Sequence, residues 1–410
     1  MKLERRWQLF WLLFVSYVFC VYFRKLFSLL LPSIVRDVTL TKDEMGFIVS
    51  TQYAAYAVGK LFFGIASDLA SPTVIVVVGL VGIILSMHVM AVSTTLWHFL
   101  ISATINGFLQ GSGWPAIVRI TRQMFSVAEF GRTYTILACT NNVAGFIGPL
   151  SLVLPWRQTT FLTATFATTF TITLWVVLRR TENEASTYES LHQSYQNAQT
   201  SEQKTKEKAF SWWRIIGSEA AWITALYYSF TMASRAIAET WIPIFVSERL
   251  SELDALRASF FFETGGLFGS IISGVFCDFL CAYFSIDHSR LLSGIFCTIS
   301  MFVAVIAVFW LEWVFFSGFM FGFFVYASIN IWGIVSSDLA DDSIAGRCGA
   351  FVNFISSSFA AFAGAPLAWL IDCYGYSVLP MLSVSCIIVS LAVYRLQQNR
   401  SLHICDTKTA

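Results

Sequence analysis

Apolar runs of near-membrane length recur along almost the whole of this chain, and they constrain its fold more than any other feature. A helix needs about 20 mostly apolar residues to cross a bilayer. Because hydrocarbon offers no partner to a backbone N–H or C=O group, a run that crosses it must satisfy these groups internally as a helix. Such runs lie at 9–32, 45–67, 73–93, 96–118, 133–154, 159–178, 220–246, 256–280, 290–311, 313–337, 346–371 and 375–394. The sequence therefore predicts an all-α integral membrane protein with twelve transmembrane helices.

The composition excludes a water-soluble globular protein. Hydrophobic residues make up 56% of the chain and charged residues only 12%, whereas soluble domains carry about 25% charged residues. The net charge of +1 gives no indication of a nucleic-acid partner. The polar segments contain no Gly-rich phosphate loop or nucleophile–base spacing, and the close pair Cys277 and Cys281 lacks a second pair or histidines beside it. We expect no enzyme activity, no catalytic residue, no metal and no cofactor.

One polar stretch divides the apolar pattern into two halves. Residues 179–211 are rich in charged, Ser, Thr, Gln and Asn residues, which predicts a flexible cytoplasmic linker. It separates an N-terminal six-helix half at 1–178 from a C-terminal six-helix half at 212–394, and a polar tail follows at 395–410. Most Lys and Arg residues outside the apolar runs fall on the side that holds both termini. This bias predicts that both termini are cytoplasmic.

The two halves are predicted to be repeats of each other. A constant shift along the chain superimposes residues at the end of the second helix of each half, and Arg24 falls one residue short of Arg235. The superimposed pairs are Gly59 with Gly269, Gly64 with Gly274, and Asp68 with Asp278. Parallel repeats about an axis along the membrane normal are the arrangement of the major facilitator fold, with the substrate site between them near the midplane. We expect Gly64, Asp68, Gly274 and Asp278 to make gating contacts rather than to bind substrate.

Charged residues inside the apolar runs indicate the ligand. The basic residues are Arg24, Lys25, Lys60 and Arg235, whereas the acids at comparable depth are Glu239 and Glu263. A basic side chain at the bilayer centre costs about 2.5–3.5 kcal/mol, so such residues normally face the interior of the bundle and have partners. Four cations against two anions leave two positive charges over, and a phosphate group carries about −1.5 to −2. The sequence therefore predicts an anionic ligand, plausibly a phosphate bound by Arg24 and Arg235.

Structural explanations of the same residues stay open. Arg235 and Glu239 are spaced to pair along one helix, and Lys25, about 100° from Arg24 around the helix, has the reach to snorkel towards the interface. Tyr56 shares a face with Lys60, where either phosphate binding or core packing would suit it. An intramembrane amide needs a partner, so we expect either Asn141 or its neighbour in the sequence to reach the cavity and the other to bond a neighbouring helix.

Several stretches resemble one transporter family. They are Tyr22–Pro32, Met45–Asp68, Gly107–Pro115, Glu263–Ser270 and Gly364–Pro366. Over nearly its whole length the chain resembles the organophosphate:phosphate antiporters of the major facilitator superfamily. The likeness is greatest to the endoplasmic-reticulum glucose-6-phosphate translocases of solute carrier family 37.

The resemblance implies exchange of glucose 6-phosphate, or a related organophosphate, for inorganic phosphate by alternating access. It also implies an endoplasmic-reticulum membrane, although the tail has no dilysine signal, and functional coupling to a lumenal phosphatase. The family's phosphate-binding arginine of the first helix matches Arg24, and its basic residue of the seventh helix matches Arg235. Its lysine and tyrosine of the second helix match Lys60 and Tyr56. Asn141 stands where bacterial relatives carry a histidine.

Two supporting roles and two other functions also remain open. Tyr22 lies two residues before Arg24, where the family carries an aromatic hydroxyl three residues before, and Lys25 is a further candidate for the cavity. A proton-coupled sugar symporter would need Glu239 or Glu263 to titrate at the midplane, and the basic residues nearby disfavour this. A membrane sensor that binds hexose phosphate without moving it would keep the same binding residues. The expected partners are therefore a small organophosphate, inorganic phosphate and the lipid bilayer.

Overall fold

The computed structural model describes residues 3–125, 129, 133, 136–150, 154–196, 215–310, 313–339 and 345–397. Its helices in the first half are α1 (Leu3–Val38), α2 (Lys42–Leu69), α3 (Pro72–Ala91), α4 (Leu96–Gln110), α5 (Gly113–Met124), α6 (Thr140–Leu150) and α7 (Trp156–Gln196). Those in the second half are α8 (Glu219–Arg249), α9 (Glu252–Cys281), α10 (Ile286–Trp310), α11 (Val314–Asp338), α12 (Ala345–Ala360), α13 (Ala365–Tyr374) and α14 (Val378–Gln397). The predicted all-α fold is confirmed, and each predicted run coincides with one helix or with two consecutive helices.

Eight helices of the described residues are long and apolar enough to cross a membrane. The helices α2 and α8 do not meet that criterion, although they are long. Both carry ionisable residues at mid-length, Lys60 in α2 and Arg235 with Glu239 in α8. These two helices therefore carry three of the charged residues that the sequence analysis placed inside the membrane.

Two predicted spans are each broken into two helices. The span at 96–118 is interrupted between α4 and α5, and the span at 346–371 is interrupted by a 3₁₀ turn at Ala361–Ala363. Pro366 lies in the first turn of α13, where its missing N–H leaves no helical hydrogen bond unmade. Hydropathy does not reveal such breaks, because the apolar run continues through them.

The predicted flexible linker at 179–211 begins instead as a continuation of α7. This helix runs without a break to Gln196, and the stretch from Arg179 to Gln196 contains no glycine or proline that would end it. A flexible linker from residue 179 is therefore wrong over this part. The segment from 197 to 214 lies outside the described residues. The exact boundaries of the halves stay predictions.

The structure shows the internal repeat in the way the second and fourth helices of each half approach one another. A Cβ on Gly59 in α2 would collide with the carbonyl oxygen of Phe108 in α4, and a Cβ on Gly269 in α9 would collide with that of Phe323 in α11. Glycine permits this close approach of two helices. The same contact recurs at superimposed positions, so the two halves share their internal packing.

The two halves meet most tightly at one end of the bundle, which we call the Lys42 end, where α1 ends and α2 begins. A buried apolar cluster there joins Leu31, Met45 and Val49 of the first half to Ala236 and Ala363 of the second. Two exposed ion pairs, Lys42–Glu248 and Arg36–Glu252, also join the halves at this end. The Lys42 end is therefore closed.

The opposite end, which we call the Gly64 end, is more open at the two glycines predicted to gate. A Cβ on Gly64 or on Gly274 would meet no atom within 4 Å. The side chains of Asp68 and Asp278 lie outside the described residues, so their predicted gating contacts stay predictions. The contrast between the ends indicates a cavity closed at the Lys42 end.

Candidate anion-binding site

Arg24 lies at the centre of the bundle with neutral partners only. It is buried, at 6% exposure. Its guanidinium donates to the hydroxyl of Tyr56 over 3.3 Å and to Oδ1 of Asn141 over 3.2 Å, and it lies 5.3 Å from the Tyr56 ring centroid. Among the described residues no carboxylate forms an ion pair with it. A buried cation without an anion is costly, which makes Arg24 the strongest candidate for an anion ligand.

Asn141 joins Arg24 to Arg235 across the two halves. Its Oδ1 also accepts a hydrogen bond from Arg235 over 3.2 Å, so one neutral oxygen serves two guanidinium groups. Asn141 is on α6, in the first half, whereas Arg235 is on α8, in the second. Two guanidinium groups that converge on one oxygen form an arrangement that suits an oxyanion.

Lys60 is the second cation with neutral partners. Its Nζ donates to Oγ of Ser357 over 3.1 Å and to Oδ1 of Asn353 over 3.5 Å, both on α12 of the other half. It also lies 4.7 Å from the centroid of the Tyr56 ring. Tyr56 therefore lies between Arg24 and Lys60 and contacts both, as expected from its place one turn before Lys60.

The two acids are paired with the remaining two cations. Glu239 accepts from Arg235 Nε over 2.9 Å and lies 3.3 Å from Lys25 Nζ. Glu263 forms an ion pair with Lys25 and accepts from the hydroxyl of Tyr326 over 3.0 Å. Lys25 thus connects both carboxylates of the second half, and the interpretation of it as a snorkelling residue is wrong. Its exposure of 3% is too small for that role.

The excess charge predicted from the sequence is now assigned to particular residues. Arg235 and Lys25 are neutralised by Glu239 and Glu263, whereas Arg24 and Lys60 contact neutral oxygens. The described part of the cavity therefore keeps two cations without a carboxylate. Inorganic phosphate or a phosphate monoester, at about −1.5 to −2, matches that excess.

Tyr22 is placed differently from the phosphate ligands. It is buried among the apolar residues of the first half, with its ring edge against Phe23 at 5.4 Å. Its predicted supporting role at the cavity stays a prediction. The open choice between the two asparagines is settled, since Asn141 reaches the arginines and Asn142 donates to Ser270 of α9 over 3.4 Å.

Sequence reasoning missed four residues that contact the charged groups. Tyr53 donates to Glu239 over 3.3 Å, and Tyr326 donates to Glu263; Asn353 and Ser357 accept from Lys60. Tyr53 lies one turn before Tyr56 on the face of α2 that points into the cavity. Helical periodicity in the sequence would therefore have identified it as a cavity residue. The other three are on helices of the second half, where only the fold brings them to the cavity.

Gly145 allows the two halves to approach at the Lys25–Glu263 pair. A Cβ at this position of α6 would collide with the carboxylate of Glu263. The carboxylate thus lies directly on the backbone of the first half, and any side chain here would displace it from Lys25.

Comparison with known proteins agrees with this architecture. The sequence profile of the Major Facilitator Superfamily matches residues 13–365, and the chain belongs to this superfamily of membrane proteins. A solved structure of a bacterial homologue of the human lysosomal transporter Spinster, in an inward-facing and unoccupied conformation, is similar with a TM-score of 0.70 and 12% identity. The match covers 97% of each chain. This likeness and the family confirm the twelve-helix fold in two halves.

Similar proteins include two named for transport of phosphate esters and one named as a membrane sensor. The probable hexose phosphate transport protein of Chlamydia trachomatis is 24% identical, covering 95% of this chain and 90% of its own. The glycerol-3-phosphate transporter of Bacillus subtilis is 26% identical, covering 97% and 94%. The membrane sensor protein UhpC of Escherichia coli is 25% identical, covering 89% and 86%. The resemblance drawn from the sequence stretches is confirmed.

Proposed function

We propose that this protein exchanges a phosphate ester, such as glucose 6-phosphate, for inorganic phosphate across a membrane. The observation that carries the proposal is the pair Arg24 and Arg235, which reach from opposite halves to one oxygen of Asn141. A phosphate group would replace that neutral oxygen with charged ones and bind both guanidinium groups at once. The relatives named for hexose phosphate and glycerol 3-phosphate transport support the same substrate class.

The charge excess explains why exchange is favoured over leak. Closing the Gly64 end around an empty cavity would remove two unpaired cations, Arg24 and Lys60, from contact with water. Burying a charge without a partner costs several kcal/mol. A bound phosphate cancels the excess, so the loaded protein closes and reopens at the Lys42 end more readily than the empty protein. Each half-cycle then needs a phosphate or its ester.

Orientation and compartment belong to the proposal as well. The distribution of Lys and Arg favours cytoplasmic termini, which would make the Gly64 end cytoplasmic. Residence in the endoplasmic reticulum and coupling to a lumenal phosphatase are supported by the resemblance alone.

The test is uptake of labelled glucose 6-phosphate into proteoliposomes preloaded with inorganic phosphate. Uptake that depends on internal phosphate is the expected result. In Arg24→Gln or Arg235→Gln protein we expect exchange to fall at least about 100-fold, because each change removes charge-assisted hydrogen bonds to the ligand. Arg249→Gln is the matched control, since Arg249 is exposed at the Lys42 end and stacks on Phe245. Undiminished exchange in the Arg24 variant would refute the proposal.

A hexose-phosphate sensor is the second candidate, favoured by the relative named as a membrane sensor. A sensor keeps the same site, so the same vesicles distinguish it. Correctly folded protein that binds glucose 6-phosphate but exchanges nothing would favour sensing. Proton-coupled symport has less support, because Glu239 and Glu263 are both engaged in ion pairs.

A further inference from the structure

A second polar cluster lies beside the anion-binding site, where α6 meets α9 and α11. It consists of the uncharged residues Asn142, Ser270, Ser273 and Asn330. Asn142 donates to Ser270 Oγ over 3.4 Å, and Asn330 Nδ2 donates to the Ser270 carbonyl over 3.1 Å and to Ser273 Oγ over 3.4 Å. Asn142 directly follows Asn141, the residue that joins the two arginines. Through Asn142 the cluster therefore adjoins the residue at which the two arginines meet.

The cluster holds hydrogen-bonding capacity that its own contacts do not use. An asparagine has two N–H donors and one carbonyl acceptor, and a serine hydroxyl both donates and accepts. The side-chain nitrogen of Asn330 donates both of its hydrogen bonds, so its side-chain carbonyl oxygen has no hydrogen bond within the described residues. The buried Oδ1 of Asn142 likewise has no partner there. Ser270 and Asn330 are half-buried, whereas Asn142 and Ser273 are buried.

Packing alone does not account for these side chains. The close contact of α9 with α11 is made by glycines, since a Cβ on Gly265 or Gly269 would collide with a backbone carbonyl of α11. Asn330 adds hydrogen bonds across this contact through its nitrogen alone, which leaves its carbonyl oxygen unused. A ligand hydroxyl would donate to that oxygen.

We propose that Ser270 and Asn330 form the subsite for the hydroxyl groups of the organic part of the ester, with Asn142 and Ser273 as positioning residues. This inference rests on the proposed function. Alcohol groups both donate and accept, so they match free carbonyl oxygens and a serine hydroxyl, whereas a phosphate would need cations that the cluster lacks. The phosphate is then bound through Arg24 and Arg235, and the identity of the ester is recognised on α9 and α11.

The test compares two exchange reactions of the same full-length protein in proteoliposomes. One is exchange of labelled phosphate for phosphate, which needs only the anion-binding site. The other is exchange of glucose 6-phosphate for phosphate. In Asn330→Leu and in Ser270→Ala we expect the KM for glucose 6-phosphate to rise about tenfold, the effect of one lost hydrogen bond. Phosphate–phosphate exchange should stay within about twofold of the wild-type rate.

Thr264→Val is the matched control, because the Thr264 hydroxyl on the same helix donates to its own helix at Phe260. The wild type should bind a 2-deoxy or 3-deoxy analogue more weakly than glucose 6-phosphate itself. The Asn330 variant should bind one of these analogues as tightly as it binds glucose 6-phosphate. An equal fall of both exchange reactions, or no change in either, would overturn the subsite. Absence of both reactions in the wild type would instead overturn the proposed function. The small Ser270→Ala change keeps the test valid if the Asn330 variant fails to fold.

Discussion

Asn141 is the residue on which the electrostatics of the empty cavity depend. Its Oδ1 accepts from Arg24 and from Arg235, at 3.2 Å in each case. A neutral amide oxygen holds the two guanidinium groups in place without cancelling their charge. The arginines are therefore arranged for an oxyanion before one arrives, which reduces the ordering that binding requires.

Replacing Asn141 with aspartate should convert this arrangement into a permanent ion pair. The new carboxylate would supply the negative charge that phosphate brings, so we expect phosphate affinity to fall at least about tenfold. Thermal stability without ligand should rise, because the buried Arg24 gains a charged partner that it lacks in the wild type. Both effects are read from melting curves recorded with and without phosphate. An Asn141→Asp protein stabilised by phosphate as strongly as the wild type would contradict this account.

The sequence interpretation misjudged the surroundings of Lys25. Its position about 100° from Arg24 was interpreted as pointing away from the ligand. In the structure residues 21–28 of α1 are all buried, so every side of this helix faces other helices. Pointing away from Arg24 therefore means pointing at Glu239 and Glu263 of the second half. Helical periodicity gives the angle between two side chains, and only the packing tells what lies in each direction.

At the scale of elements, α2 makes a decisive contact near the Lys42 end. Near the Lys42 end it packs on the break between α12 and α13, where Ser50 donates to the carbonyl of Ala361 and accepts from the N–H of Ala365, each over 2.8 Å. The broken helix exposes backbone groups that a regular helix would satisfy. Ser50 supplies one donor and one acceptor to them from the other half of the protein.

Gly46 should be indispensable to this contact. A Cβ there would lie 2.7 Å from the Ala368 Cβ and 2.9 Å from the Ala365 Cα, so Gly46→Val should separate α2 from α13 and open the Lys42 end. In a background without native cysteines, a cysteine in place of the buried Val49 reports on this opening. We expect its labelling by a water-soluble thiol reagent to accelerate at least about tenfold, the effect of about 1.4 kcal/mol.

Ala54→Val is the control on the same helix, since Ala54 is exposed and has no predicted gating role. It should leave labelling of residue 49 unchanged. Equal labelling rates in the Gly46 and Ala54 variants would show that α2 does not hold this end closed. The break that makes Ser50 necessary could not be predicted from hydropathy, because helix interruption depends on hydrogen bonds that an apolar run does not report.

At the scale of the whole molecule, the two ends of the bundle differ in the contacts that hold the halves together. The predicted gating residues lie at the Gly64 end, yet the exposed ion pairs that join the halves in the described structure are at the opposite end. There Arg36 pairs with Glu252, and Lys42 lies 3.3 Å from Glu248. From the sequence, Arg36 and Lys42 were counted only as charges on the side of the membrane that holds fewer Lys and Arg residues. That count missed their pairing across the halves. Pairing across halves depends on long-range geometry, which residue counts do not contain.

These exposed pairs should shift the balance between the two open states by small increments. An exposed ion pair contributes about 0.2–1 kcal/mol, so Arg36→Glu, which replaces attraction by repulsion, should favour opening of the Lys42 end severalfold. The double variant Arg36→Glu with Glu252→Arg should restore the original balance. Spin labels at the exposed positions 97 and 313, on opposite halves, measure the distance across this end.

Arg157→Glu provides the control for local charge, because Arg157 pairs with Asp37 of its own half over 3.4 Å and does not join the halves. It should leave the distance distribution unchanged. Raising the ionic strength should move the wild type in the same direction as Arg36→Glu, since salt screens exposed pairs. If the charge-swapped double variant stayed as open as the single variant, the ion pair would not be what links the halves. Closure would then depend on Ser50, Gly46 and the apolar cluster alone.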